Sequence, residues 1–248
     1  MAKAVFYLSH WRRWESPHPV RGESRHVYPE EIPTAVGRVV EETEARWAHL
    51  RQTVTLEFIL PFELLDAPVE WWTKEDDSSY PTPLTMDYPV VLRSLERQQR
   101  VAWHRPWRTR WAHLTDDNRN GRAYASRVGA TDISPFHLER ELKEDPSIVC
   151  LILSEPPSTE RGRQELTAGL RAGVPAMIWH RQDCADPVFR AAAEAIVQGG
   201  NDLDSLMDWA AKWRRDALVA GPEEWDGHLG RHLAILLDDP NHIFGSSL

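Results

Sequence analysis

Apolar residues recur along the chain with two periods. Ile32, Val36, Val39, Val40, Trp47 and Leu50, with Thr43 among them, fall at the three-to-four spacing of one helix face. Pro29 opens that stretch where proline is tolerated, and Glu30 and Glu31 suit the positive end of a helix. Short continuous runs alternate with such stripes. Val5 to Arg12, Val54 to Leu60, Pro89 to Arg93, Ser147 to Ser154 and Val174 to His180 read as strands. The run Ile148 to Leu153 is apolar throughout, as in a strand buried on both faces. Further helices are expected over Leu95–Arg100, Pro106–Leu114, Pro135–Glu144, Arg161–Ala172, Pro187–Val197, from near Asp202 onward, and over Gly227–Leu237. Gly173 closes the fourth of these. Proline-bearing or polar stretches at 15–29, 73–89 and 116–122 read as loops.

This alternation predicts an α/β fold: one domain over 1–248, with a mainly parallel central sheet flanked by helices. Its strands are expected near residues 5–10, 54–60, 90–93, 148–154 and 175–180. The last two enclose a helix of crossover length and should be adjacent and parallel.

Composition narrows the function. Hydrophobic residues make up 42% of 248, enough to bury a core. A net charge of −9 argues against binding nucleic acid, which needs a basic face. No segment approaches the ~20 apolar residues of a membrane helix, so no membrane partner is expected. Two cysteines, Cys150 and Cys184, build neither a disulfide framework nor a four-ligand zinc site. The chain reads as cytoplasmic, without metal or cofactor. His10, His18 and His26 share one stretch, but no HExxH or carboxylate cluster accompanies them.

Three groups of residues carry candidate chemistry. Glu57 and Arg93 sit inside strand runs, where a charge is costly unless paired; they are candidates for a buried ion pair. Ser154, Glu155 and His180 fall at the C-terminal ends of two strands, the edge where open α/β sheets bind ligands. They would form the pocket of a nucleotide-processing enzyme, although neither GxGxxG nor GxxxxGK[ST] occurs. Helix capping and loop packing is the plainer reading of the same residues. A nucleophilic pairing of His180 with Cys184 or Cys150 would need contact that the sequence does not supply. The third group is aromatic. Twelve tryptophans either fill the core or form a recognition surface. Trp71-Trp72 and the stretch holding Trp107, Arg108, Arg110 and Trp111 are the candidate partner-binding residues, since tryptophan and arginine are enriched at interface hot spots.

Several blocks in order carry a family resemblance. They are Leu8 to Trp11 (LSHW), Leu56 to Trp71 (LEFILPFELLDAPVEW) and Tyr88 to Arg97 (YPVVLRSLER). Leu151 to Pro157 (LILSEPP), Gly173 to Trp179 (GVPAMIW), Trp213-Arg214-Arg215 and His232 to Pro240 (HLAILLDDP) follow. In this order and spacing the chain resembles the C-terminal domain of the vWA-MoxR associated proteins, over nearly its whole length. The resemblance implies a role in bacterial conflict or signalling systems with three parts: a MoxR-type ATPase, a von Willebrand A-type protein and a protein of this kind. Members often carry an N-terminal effector module such as a trypsin-like peptidase. This chain starts near the domain's own start, so it is expected to be either a fragment or a stand-alone version. The resemblance supplies no catalytic residue. With catalytic motifs absent as well, the leading reading is a non-enzymatic, signal-coupling interaction domain, and the nucleotide-processing enzyme is the alternative.

Overall fold

A computed structural model describes residues 5–13, 19–51, 53–115, 121–129, 134–199 and 203–244. His18, Asp202 and most of the expected 116–122 loop lie outside the described residues. The chain is α/β and divides into two compact units, Met1–Thr55 with Pro68–Tyr88, and Leu56–Ala67 with Pro89–Leu248.

The first unit is built on helix α1 (Ile32–Trp47), whose buried face carries Ile32, Val36, Val39, Val40 and Thr43. This is the stripe that the apolar spacing marks out. A two-stranded ribbon, Thr73–Lys74 with Thr82–Pro83, lies against α1. The approach is close at Gly37, where a Cβ would fall 2.3 Å from the Thr73 carbonyl oxygen. Lys74 is buried there and pairs with Glu44 and, at 2.9 Å, with Asp87. Phe6–Leu8 pairs antiparallel with Arg25–Val27 in a separate ribbon. The expectation of a central-sheet strand at 5–10 is therefore corrected. Tyr7 is well exposed and Phe6 only partly buried, so this segment cannot serve as a sheet interior.

The second unit holds a six-stranded, mostly parallel sheet. Its strands are β1 (Leu56–Leu60), β2 (Val90–Ser94), β3 (Arg122–Ala125), β4 (Ile148–Ile152), β5 (Ala176–His180) and β6 (Leu233–Leu237), in the order β1-β2-β6-β5-β4-β3. Only the β5–β6 pair is antiparallel. Two parallel sets of three strands thus meet at the centre, and each sheet edge gathers the C-terminal ends of one set. The expected parallel neighbours β4 and β5 are present, with Cys150 opposite Ala176 and Ile152 opposite Ile178. Every residue of β2, β4 and β5 is buried, the mark of strands covered on both faces.

Helices α2 (His104–Thr115), α3 (Pro135–Glu144), α4 (Glu160–Ala172), α5 (Pro187–Gly199) and α6 (Leu203–Val219) surround this sheet. Thr159 caps α4 by accepting the Gly162 N–H at 3.0 Å, and Gly173 ends it in the left-handed conformation at φ 84°. The helix expected over Gly227–Leu237 is corrected: a single turn, Leu229–His232, leads into β6. The run Leu233 to Leu237 is apolar at every position, so no period distinguishes helix from strand. Its burial between β2 and β5 decides for strand.

Candidate functional site

Two polar centres form at opposite edges of the sheet. The first lies beyond the C-terminal ends of β4 and β5 and contains the anticipated Ser154, Glu155 and His180. Ser154 follows β4 and is buried. Its N–H and hydroxyl both donate to Glu165 of α4, at 2.8 and 2.6 Å. Arg161, one turn before Glu165, completes the group, with Nε 3.1 Å from the carboxylate and 3.0 Å from Ser154 Oγ. Glu155 accepts the Thr159 hydroxyl at 2.8 Å and so braces the cap of α4. Arg190 of α5 donates to the Leu153 and Ser126 carbonyls at 3.1 and 2.9 Å. Glu165, Arg161 and Arg190 were not anticipated from the sequence. The available signal was Glu165 beside Leu166, on the apolar side of an amphipathic helix.

His180 ends β5 and is separate from that cluster in its bonding. Its Nδ1 accepts the Asp183 N–H at 2.9 Å and the Gln182 N–H at 3.3 Å, so the ring proton belongs on Nε2. Its ring lies 5.1 Å from that of His232 and 5.7 Å from Phe189. Burial, then the neighbouring His232, pushes its pKa below the usual value. The thiol of Cys184 donates to the His180 carbonyl at 3.2 Å, and burial pushes it up to about 12. Cys150 is likewise pushed up to about 12 inside β4. Both sulfurs are therefore thiols at neutral pH, not activated nucleophiles.

A pH dependence follows from His180. The unfolded chain takes up this proton near 6.5, and the folded chain only at lower pH. Stability tied to the neutral ring is present above that value and is lost as pH falls below it. His180→Gln is expected to flatten the decline in stability between about pH 6.5 and 5, read from urea-unfolding midpoints. An unchanged slope would refute this role.

The second centre lies beyond the C-terminal ends of β2 and β6. Glu57 and Arg93 do meet: Arg93 Nη1 donates to Glu57 at 2.7 Å. Arg93 is buried, whereas the Glu57 side chain keeps 27% exposure. Burial pushes the Glu57 carboxyl up, but the hydrogen bond from His242 and the charge of Arg93 outweigh it and hold the pKa below its usual value. The centre of the group is Asp238, fully buried immediately after β6. It accepts the Ser94 N–H at 3.1 Å and lies 3.2 Å from Arg97 and 3.6 Å from Arg93. Burial pushes its carboxyl up against the pull of both guanidiniums. Arg97 also donates to the Val174 carbonyl at 2.8 Å. Burial lowers its pKa to about 10, which leaves it charged at neutral pH.

The aromatic candidates divide between surface and interior. Trp107 is fully buried; its Nε1 donates to the Asp238 carbonyl at 2.9 Å and its ring lies 5.4 Å from the Arg97 guanidinium. Arg110 is buried too, and donates to the carbonyls of Ala172, Asp145, Ile148 and Leu142. Trp71 is buried in the first unit. For these three the expectation of a contact surface is corrected: each ring or guanidinium faces the interior. Arg108 is exposed, and Trp72 and Trp111 are partly exposed.

Among the described residues no three His, Cys, Asp or Glu side chains are grouped to hold a metal, and no helix is long and apolar enough to cross a membrane. Fold and centres together define an α/β protein whose buried arginines tie strand ends and helix ends together. The chain belongs to the vWA-MoxR associated protein C-terminal domain family, whose model matches residues 4–240. No curated protein and no solved structure matches the chain.

Proposed function

We propose that this chain is a non-enzymatic interaction domain of a bacterial three-part conflict or signalling system. It couples a MoxR-type ATPase and a von Willebrand A-type protein to an effector such as a trypsin-like peptidase. The family name supports association with the first two. The observation that carries the non-enzymatic reading is the state of the strand-end groups. Glu165 is committed to Ser154 and Arg161, and Glu155 to Thr159. A general base needs a free acceptor near its substrate, and the buried Glu165 carboxylate is engaged at both oxygens in holding α4 to β4.

Co-expression with the ATPase and the von Willebrand A-type protein of the same genome should give a complex that co-elutes on gel filtration. The domain alone should not hydrolyse NTPs, NAD or peptides above background. Turnover that disappears in Glu155→Gln or His180→Ala would instead establish the nucleotide-processing enzyme.

A further inference from the structure

An open cavity of about 220 Å³ lies where the C-terminal end of α4 meets the start of α2. Gly173 permits this meeting, since a Cβ there would fall 2.4 Å from the Pro106 carbonyl carbon. Pro106 and Ala172 form apolar wall, and Arg105, Thr109, Arg110 and Lys143 supply the polar lining. Arg110 is 3% exposed, and all its hydrogen-bond acceptors are backbone carbonyls. These account for four of its five N–H groups. None of the described residues gives it a carboxylate at ion-pair distance. Burial lowers its pKa to about 10, so it remains a buried cation at neutral pH.

The surrounding charges leave the site positive. Arg105 is exposed and has no ion pair among the described residues. The neighbouring carboxylates are already engaged: Glu139 with Lys143 at 2.5 Å and Arg171 at 3.6 Å, and Asp145 with Arg122 at 2.6 Å. Residues 97–115 contain no Asp or Glu, within a chain of net charge −9. Arg108 and Val101 add an exposed cation and an exposed apolar side chain to the same stretch. The cavity is below the roughly 300 Å³ at which drug-sized ligands are accommodated, so it suits a side chain better than a nucleotide.

We propose that this cavity is a carboxylate-binding site that takes an Asp or Glu side chain from an acidic segment of a partner protein. Arg105 grips the carboxylate from the rim, Lys143 turns to it from its 2.5 Å pairing with Glu139, and Arg110 supplies a fixed positive charge behind them. The proposal rests on the interaction-domain reading and gives the partner's chemistry. The probe is a fluorescein-labelled, end-blocked hexaglutamate peptide, titrated with the full chain by anisotropy. Hexaglutamine is the control and inorganic phosphate the competitor. Hexaglutamate should bind and hexaglutamine should not, and binding should weaken as salt is raised. The double variant Arg105→Glu, Lys143→Glu should lose affinity by about tenfold or more, and Arg51→Glu, on the exposed surface of the other unit, should change it little. Both altered positions have exposed side chains, so a thermal melt should show the variant folded. Equal affinity in the double variant and the parent overturns the proposal. So does a loss matched by Arg51→Glu, which marks nonspecific attraction, or preferential binding of phosphate. Co-elution with the von Willebrand A-type protein, measured separately, keeps the two readings apart. If it survives without peptide binding, only the cavity assignment fails; if it is absent while the peptide binds, only the coupling role fails.

Discussion

Asp238→Ala should cost about 3–5 kcal/mol of folding stability, the penalty for removing one partner of a buried ion pair. The side chain has no exposure, and it is the countercharge shared by Arg93 and Arg97. Alanine leaves Arg97 wholly buried without a carboxylate, and leaves the Ser94 N–H without its acceptor. Arg93 suffers less because Glu57 still pairs with it. Asp238→Asn keeps an acceptor for Ser94 and loses only the charge, so its stability should fall between alanine and the parent. Adding Arg97→Met to Asp238→Ala should recover part of the loss, because the stranded cation goes with it. Urea-unfolding midpoints of the four proteins decide the matter. A melting temperature for Asp238→Ala within about a degree of the parent would show that the pair contributes no net stability.

The second large effect is expected at Trp107, in the stretch where aromatic and basic residues alternate. Trp107→Ala should destabilise by about 3–5 kcal/mol, through lost burial and the cavity left behind. The indole also donates to the Asp238 carbonyl, so part of the cost is an orphaned acceptor beside the same charge cluster. Arg108→Ala, one residue along α2, should change stability by no more than about 0.5 kcal/mol because its side chain is exposed. Calorimetric melts of the two variants test the contrast. Similar values would contradict the assignment of Trp107 to the interior and Arg108 to the surface. Combined with Asp238→Ala, Trp107→Ala should be less than additive, since the two side chains support one group of contacts.

The Glu57–Arg93 pair was legible because charges inside strand runs need partners, and the two runs lie in neighbouring strands. Ser154 and Glu155 were legible as strand-end residues, but Glu165, the partner of Ser154, was not. Beyond the apolar neighbour Leu166, nothing in the sequence separates an acid on a helix surface from one turned beneath it until the sheet is in place. Asp238 was hidden differently. The apolar run before it carries no period that separates strand from helix, and only at the end of β6 does Asp238 come beside Ser94 of β2.

Local periodicity by itself determined helix α1, strands β4 and β5 with their crossover, and hence the α/β class; the order of short blocks pointed to the family. Tertiary structure alone decided which strands entered the sheet. Phe6–Leu8 went to a separate ribbon, and Leu233–Leu237 took a central place. It also decided which arginines became interior. Arg97, Arg108 and Arg110 come from one basic stretch, yet Arg97 and Arg110 are buried and Arg108 is exposed. Each residue turns about 100° around a helix, so a shift of one or two positions moves a guanidinium between solvent and core. Which of those directions is the core depends on where β6, α3 and α4 pack, and residues distant in sequence set that.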